Sequence, residues 1–225
     1  VDRRQRQMCI RDRIDVPGDI SSAAFFLVAA AITPGSDLTL QHVGVNPTRI
    51  GIINLLRDMG ANIESSNERL VGGERVADLR VRYQPLKGIV ISEAQIPLAI
   101  DEFPVLFVAA ACAEGETLLR GAKELRVKES DRLDAMAQGL EKLGVVVETF
   151  DDGIKITGGQ MGGGAVDSFG DHRIAMAFTV AGLRSESPID IANCANVATS
   201  FPNFVQLAAE VGIQVSAQKL PKVTS

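Results

Sequence analysis

Three stretches of this chain are apolar nearly all round, and each follows an acidic residue. They begin Asp19-Ile20-Ser21-Ser22-Ala23-Ala24-Phe25-Phe26-Leu27, Asp101-Glu102-Phe103-Pro104-Val105-Leu106-Phe107 and Asp171-His172-Arg173-Ile174-Ala175-Met176-Ala177-Phe178. A helix with no polar face belongs in a core, so the pattern predicts three buried helices. A turn and a short strand follow each, at residues 37–41, 116–120 and 188–191. A second helix then ends in a glycine and runs into an apolar strand: Met59-Gly60-Ala61-Asn62-Ile63, Leu143-Gly144-Val145-Val146-Val147 and Val211-Gly212-Ile213-Gln214-Val215. Gly60 and Gly144 lie 84 positions apart, and Gly144 and Gly212 lie 68 apart. Hairpins of different length account for the loose spacing, one turning around residues 66–68 and one around 151–153. The plan is a threefold repeat over roughly 14–82, 83–157 and 165–217. The fold class is mixed α+β, with buried helices enclosed by sheets around a pseudo-threefold axis. Asp19, Asp101 and Asp171 stand where N-caps stand, and capping accounts for them without chemistry. About such an axis the three helix N-termini could meet on one surface and attract anions.

Charge sharpens that picture at one place. Glu124-Leu125-Arg126-Val127-Lys128-Glu129-Ser130-Asp131-Arg132 puts six ionisable side chains into nine residues. Leu133, Met136, Ala137, Leu140 and Leu143 then recur at helical spacing, and Gly144 ends the helix. The charges therefore fall at a helix start. Lys128 and Arg132 are spaced i, i+4 and would share a helix face, with Glu129 three residues before Arg132. A phosphate site beside an acid/base group needs these parts; a solvated surface helix would use them too. Ser130 and Asp131 read as caps.

Composition narrows the function classes. The 225 residues are 46% apolar and 23% charged, with a net charge of −5. Acidic bulk charge argues against nucleic acid or an anionic membrane as partner. The longest apolar runs, residues 23–32 and 105–113, are too short to span a bilayer. Cys9, Cys112 and Cys194 show neither metal-ligand nor redox spacing, and a reducing cytoplasm suits them. With only His42 and His172, a His-rich metal site is not expected. The Gly158-to-Gly164 stretch lacks the Lys-Ser/Thr of a P-loop and reads as a flexible loop.

Residues 1–13 stand apart. Five Arg against two Asp give them +3, which leaves −8 on the rest of the chain. Met8-Cys9-Ile10-Arg11-Asp12-Arg13 resembles a translated sequencing adapter, so this tail is expected to be an artefact, with a basic tail as the alternative. On the first reading, an N-terminal domain is missing and residues 14–225 are a C-terminal domain.

The chain resembles the C-terminal half of the 5-enolpyruvylshikimate-3-phosphate (EPSP) synthase family of enolpyruvyl transferases. The residues that carry the resemblance are Gly18-Asp19-Ile20-Ser21-Ser22-Ala23, Asn46-Pro47-Thr48-Arg49, Ile96-Pro97-Leu98-Ala99-Ile100-Asp101-Glu102, Arg126-Val127-Lys128-Glu129-Ser130-Asp131-Arg132, Gly170-Asp171-His172-Arg173-Ile174-Ala175-Met176 and Thr199-Ser200-Phe201-Pro202. The resemblance implies two domains of three βαβαββ units each, with the active site between them. It implies transfer of the enolpyruvyl group of phosphoenolpyruvate to the 5-hydroxyl of shikimate 3-phosphate, with release of phosphate and no metal or organic cofactor. It further implies a cytoplasmic enzyme, monomeric at full length, whose partners are those two small molecules.

By resemblance, Arg132, Arg173 and His172 contact phosphoenolpyruvate, and Lys128 and Asp101 contact shikimate 3-phosphate. Asp101 is the proton acceptor, and Glu129 handles the C3 proton, for which its carboxyl would need to hold a proton near neutrality. A structural hydrogen bond at a helix end is the alternative for His172. Thr199 stands where some members carry a phosphoenolpyruvate-contacting Lys, and Glu124 where some have Asn. Ser21, Ser22, Thr48 and Arg49 fit the family pattern, with capping their simplest account. Rival readings are a UDP-N-acetylglucosamine enolpyruvyl transferase, an RNA 3′-terminal phosphate cyclase type, and a non-catalytic repeat domain, which would not need Lys128, Arg132 and Arg173 to converge. Half a site should not turn over, so the chain alone is expected to be inactive.

Overall fold

A computed structural model describes residues 15–217, so the question of the 1–13 tail lies outside the described residues. The first repeat runs α1 (Ile20–Ile32), β1 (Asp37–Gly44), α2 (Gly51–Asp58), β2 (Asn62–Val71) and β3 (Glu74–Arg82). The second contains α3 (Ile96–Ala99), α4 (Phe103–Ala111), β4 (Glu116–Leu119), α5 (Arg132–Lys142), β5 (Val146–Phe150) and β6 (Gly153–Thr157). The third has β7 (Gly164–Asp167), α6 (His172–Ala181), β8 (Ile189–Ala192), α7 (Val197–Ser200) and α8 (Phe204–Glu210).

The repeats share one topology. Strand orders are β1-β3-β2 and β4-β6-β5, with all these pairs antiparallel. The strand before each buried helix runs parallel to the strand after it. It is a full strand pair in β7-β8 and a bridge or two elsewhere, at Gly18–Val43, Lys87–Glu114 and Val90–Leu118. That places a right-sized helix crossover in each repeat, as parallel neighbours require.

The core is the meeting of α1, α4 and α6, each packed on the other two. Twelve of the thirteen positions of α1 are buried, and every position of α4 is. Alanines at 29–31, 109–111, 175, 177 and 181 let the helices approach closely. Phe25 and Phe26 of α1 carry the contact to α8, with ring centroids 5.9 and 6.0 Å from Phe204. Burying such a ring contributes about 1.5–3 kcal/mol. The three glycines that close the second helices, Gly60, Gly144 and Gly212, all take positive φ (93°, 84° and 89°), the left-handed stop that Gly adopts without strain.

Three expectations need correction. The first hairpin turns at Gly72-Gly73, not at residues 66–68; there the register slips between Ser66 and Arg69, with Asn67 at φ 51°. Asn67 looked like a turn residue because it tolerates that φ, and a bulge uses the same tolerance. The third repeat forms no strand at residues 213–217 among the described residues. Finally, α5 starts at Arg132, so most of the charged segment precedes the helix.

The α5–α6 contact makes a testable exception to helix propensity. A Cβ on Gly139 would lie 2.1 Å from the Phe178 ring. Ala is normally the better helix residue by about 1 kcal/mol. Here Gly139→Ala is expected to destabilise by about 1–3 kcal/mol through overpacking. A denaturant titration that showed stabilisation would contradict the close contact.

Candidate active site

The three buried helices point the same way, so their N-termini meet at one end of the axis. Asp19 caps α1, accepting from the Ser22 amide at 3.0 Å. Asp171 caps α6, its Oδ1 accepting from the Arg173 amide at 2.8 Å. Asp101 breaks the pattern. The N-cap position of α4 belongs to Glu102, which makes no capping bond, and Asp101 turns its carboxylate toward three cations instead.

The charged segment is positioned by its structural members. Arg126 donates to the Phe150 and Asp151 carbonyls at 2.6 and 2.8 Å and to Asp131 at 2.7 Å. Asp131 caps α5 through the Asp134 amide at 3.0 Å. A 3-10 turn over Lys123–Val127 and an extended Lys128 then swing the chain to the axis. Lys128 and Arg132 do not share a helix face, as their spacing suggested, yet both reach Asp101. Ser130 is not a cap; its hydroxyl donates to Asp171 at 3.2 Å.

Arg132 is fully buried, at the first position of a helix where the dipole disfavours a cation. Three carboxylates offset that. Its Nε donates to Asp171 at 2.8 Å, Nη1 to Asp101 at 3.2 Å and Nη2 to Glu129 at 2.5 Å. Arg173, mostly buried, donates from Nη1 to the Asp101 carbonyl at 3.1 Å and sets Nη2 3.8 Å from the Asp101 carboxylate. Lys128 lies 3.7 Å from Asp101 and 2.7 Å from Glu124.

Asp101 is therefore the hub. Burial works to raise its pKa, but Arg173, Lys128 and Arg132 together outweigh burial and hold the carboxyl below its usual 3.8. It is ionised at neutral pH. His172 sits between Asp171 and Arg173, half-buried; burial lowers its pKa below 6.5 against the pull of Asp171, so the ring is neutral. Among the described residues its ring makes no side-chain hydrogen bond, and its neighbours are the charges of Asp171, Arg173, Glu129 and Arg132. Glu129 is half exposed beyond Arg132.

All six predicted residues thus belong to one cluster. Sequence reasoning missed Glu102 and the second role of Asp171, and it read Ser21 and Arg49 as capping residues, which they are not. The Ser21 hydroxyl donates to the buried Glu102 carboxyl and accepts from Arg49 Nη2 at 2.8 Å. Ser22 and Thr48 are not caps but the donors to caps: Ser22 donates to Asp19 and Thr48 to Asn46. Chemically, the cluster offers two planar guanidiniums and an ammonium around one ionised carboxylate. That suits a polyanion carrying a hydroxyl to be deprotonated. At the opposite end of the helices, a recess of about 310 Å³ is lined by Ile32, Cys112 and Arg184. Burial pushes the Cys112 thiol up to about 12, so it is inert.

The family model for EPSP synthase (3-phosphoshikimate 1-carboxyvinyltransferase) matches residues 5–207. The chain belongs to the EPSP synthase family. Curated relatives named 3-phosphoshikimate 1-carboxyvinyltransferase include that of Alkalilimnicola ehrlichii, 63% identical over 94% of this chain and 49% of its own length. That of Methylococcus capsulatus is 64% identical over 90% of this chain and 46% of its own. A solved EPSP synthase from Acinetobacter baumannii superposes with a TM-score of 0.89 at 53% identity, covering 91% of this chain and 48% of that one. The enolpyruvyl transferase NikO from Streptomyces tendae shares the fold (TM-score 0.71) at 17% identity over 90% of this chain and 44% of that one. The chain thus spans about half the length of the curated relatives it matches.

Proposed function

We propose that this chain is the C-terminal domain of an enzyme that transfers the enolpyruvyl group of phosphoenolpyruvate to the 5-hydroxyl of shikimate 3-phosphate. The observation that carries the proposal is the convergence of Lys128, Arg132 and Arg173 on Asp101 at the joined helix N-termini. In this reading Arg132 and Arg173 grip phosphoenolpyruvate through bidentate forks, with His172 beside them, and Lys128 meets the phosphate of the second substrate as a point charge. Asp101 takes the proton of the attacking hydroxyl. The oxygen bonds to C2 while C3 gains a proton from Glu129; in the adduct the C2–O bond to phosphate then breaks as C3 returns a proton to the Glu129 carboxylate, which restores the double bond.

In this reading the neighbouring cations control when the base acts. With three cations beside it, Asp101 is a weak proton acceptor. Two polyanionic substrates compete for those cations and so raise its basicity when both are bound. No cofactor is invoked. The other half of the relatives' length would supply the facing wall of the cleft. The full-length enzyme would act in the cytoplasm as a monomer.

The test compares the 225-residue chain with the full-length protein in a phosphate-release assay. The full-length protein is expected to release phosphate from shikimate 3-phosphate plus phosphoenolpyruvate, and not from a UDP-sugar acceptor. The chain alone is expected to give no measurable turnover. Robust release by the chain would overturn the two-domain reading, and preference for the UDP-sugar would overturn the substrate.

A further inference from the structure

Behind Arg173 lies a carboxyl group that the mechanism above does not use. Glu102 is 3% exposed, and among the described residues its carboxyl accepts one side-chain hydrogen bond, from Ser21. Ser21 is itself buried and is held by Arg49, whose guanidinium also stands 3.9 Å from Asp19. On its other side, Glu102 Oε1 lies 3.9 Å from Arg173 Nη1, the same nitrogen that donates to the Asp101 carbonyl. The string Arg49–Ser21–Glu102–Arg173 therefore crosses all three repeats, from the turn before α2, through the first turn of α1 and the N-cap of α4, to the first turn of α6.

We infer that Glu102 is a positioning residue for the proposed anion site: through Ser21 and Arg49 on one side and Arg173 on the other, it sets how far the Arg173 guanidinium is free to meet an anion. The inference deepens the proposed function and rests on Arg173 being an anion ligand. The physical reason is competition. Arg173 faces the Asp101 carboxylate and carbonyl as well as Glu102, and an ionised Glu102 draws the guanidinium inward and neutralises it. A protonated Glu102 leaves it available. The carboxyl is poised for that difference. Burial raises its pKa above the usual 4.5, opposed by the Ser21 hydrogen bond and by Arg173 and Arg49, and reinforced by Asp101. The other charges around it are Asp19 beside Arg49, and Lys128, Arg132 and Asp171 on the far side of Asp101. The sign follows. Below the ordinary carboxylate range Glu102 is protonated and Arg173 is free; as pH rises through the elevated pKa, Glu102 ionises and anion affinity falls.

The experiment uses the 225-residue chain, Glu102→Gln and Ser21→Ala. The first measurement needs no ligand: the Arg173 Nε–Hε signal, assigned by its loss in Arg173→Lys, is followed against pH beside the carboxyl signal of Glu102. In the wild type, the two are expected to move together. Glu102→Gln should flatten the Arg173 response, and Ser21→Ala, lacking the hydroxyl that favours the ion, should shift both curves to higher pH together. The second measurement is phosphoenolpyruvate affinity by calorimetry. At a pH above the Glu102 titration, Glu102→Gln is expected to bind about tenfold tighter than wild type, the equivalent of one pKa unit of coupling, and to lose the fall in affinity that accompanies that titration. An Arg173 signal that ignores the Glu102 titration, or a wild-type pH profile retained in both variants, would overturn the inference. If Arg173 tracks Glu102 but no form of the chain binds phosphoenolpyruvate, the positioning stands and the anion-site reading falls. Should Glu102→Gln fail to fold, Ser21→Ala decides alone.

Discussion

Replacing Arg132 by Ala is expected to lower the stability of the chain by about 3–5 kcal/mol, the cost of stranding a buried carboxylate without its partner. Asp171 is as fully buried as Arg132, and its Oδ2 accepts from Arg132 Nε. Asp101 and Glu129, each partly exposed, can recover some hydration when the guanidinium is lost. Asp171 cannot. For a chain of this size, each kcal/mol shifts the melting temperature by about 2–4 °C, so the drop is on the order of 10 °C. Arg132→Lys should fall between, because one ammonium cannot serve three carboxylates at once. A second variant isolates the cause: Arg132→Met combined with Asp171→Asn should be more stable than Arg132→Met alone. Equal stability of the two would mean that packing, and not the stranded charge, carries the loss.

Asp101→Asn in the full-length enzyme is expected to separate turnover from binding. If Asp101 takes the hydroxyl proton, turnover falls by about a hundredfold to ten-thousandfold. Affinity for phosphoenolpyruvate should move the other way. The amide keeps the shape of the carboxylate but removes the charge that Lys128, Arg132 and Arg173 now share. Steady-state kinetics and calorimetry on one preparation check both halves. A loss of turnover accompanied by weaker binding would instead mark Asp101 as a structural anchor.

What could be seen from the sequence, and what could not, divides along physical lines. The buried helices were legible because an all-apolar helix has one place to go, and α1, α4 and α6 went there. The glycine stops at 60, 144 and 212 were legible because positive φ selects Gly. The turn at Gly72-Gly73 was not, since Asn67 offered a second residue able to take that conformation. Lys128, Arg132 and Arg173 were legible as chemistry through family motifs, while their meeting at Asp101 depended on the repeat symmetry. The link from Glu102 to Arg49 was not legible because nothing local sets either apart, and Arg49 passed for a capping residue. Glu102 looked like the neighbour of a more interesting aspartate, and its significance comes from residues 81 positions away.

The parallel packing of α1, α4 and α6 has a cost that the site inherits. Aligned dipoles side by side repel, and their positive ends gather where Asp19, Asp101, Glu102 and Asp171 stand. At the negative ends, Arg184 donates to the Ile32 carbonyl at 3.2 Å. Acidic side chains and incoming anions thus compete for the same helix ends. Any substitution that calms those ends with another fixed carboxylate would make a sturdier protein and a poorer receptor. Selection for thermal endurance and selection for substrate capture would therefore pull this one corner of the fold in opposite directions.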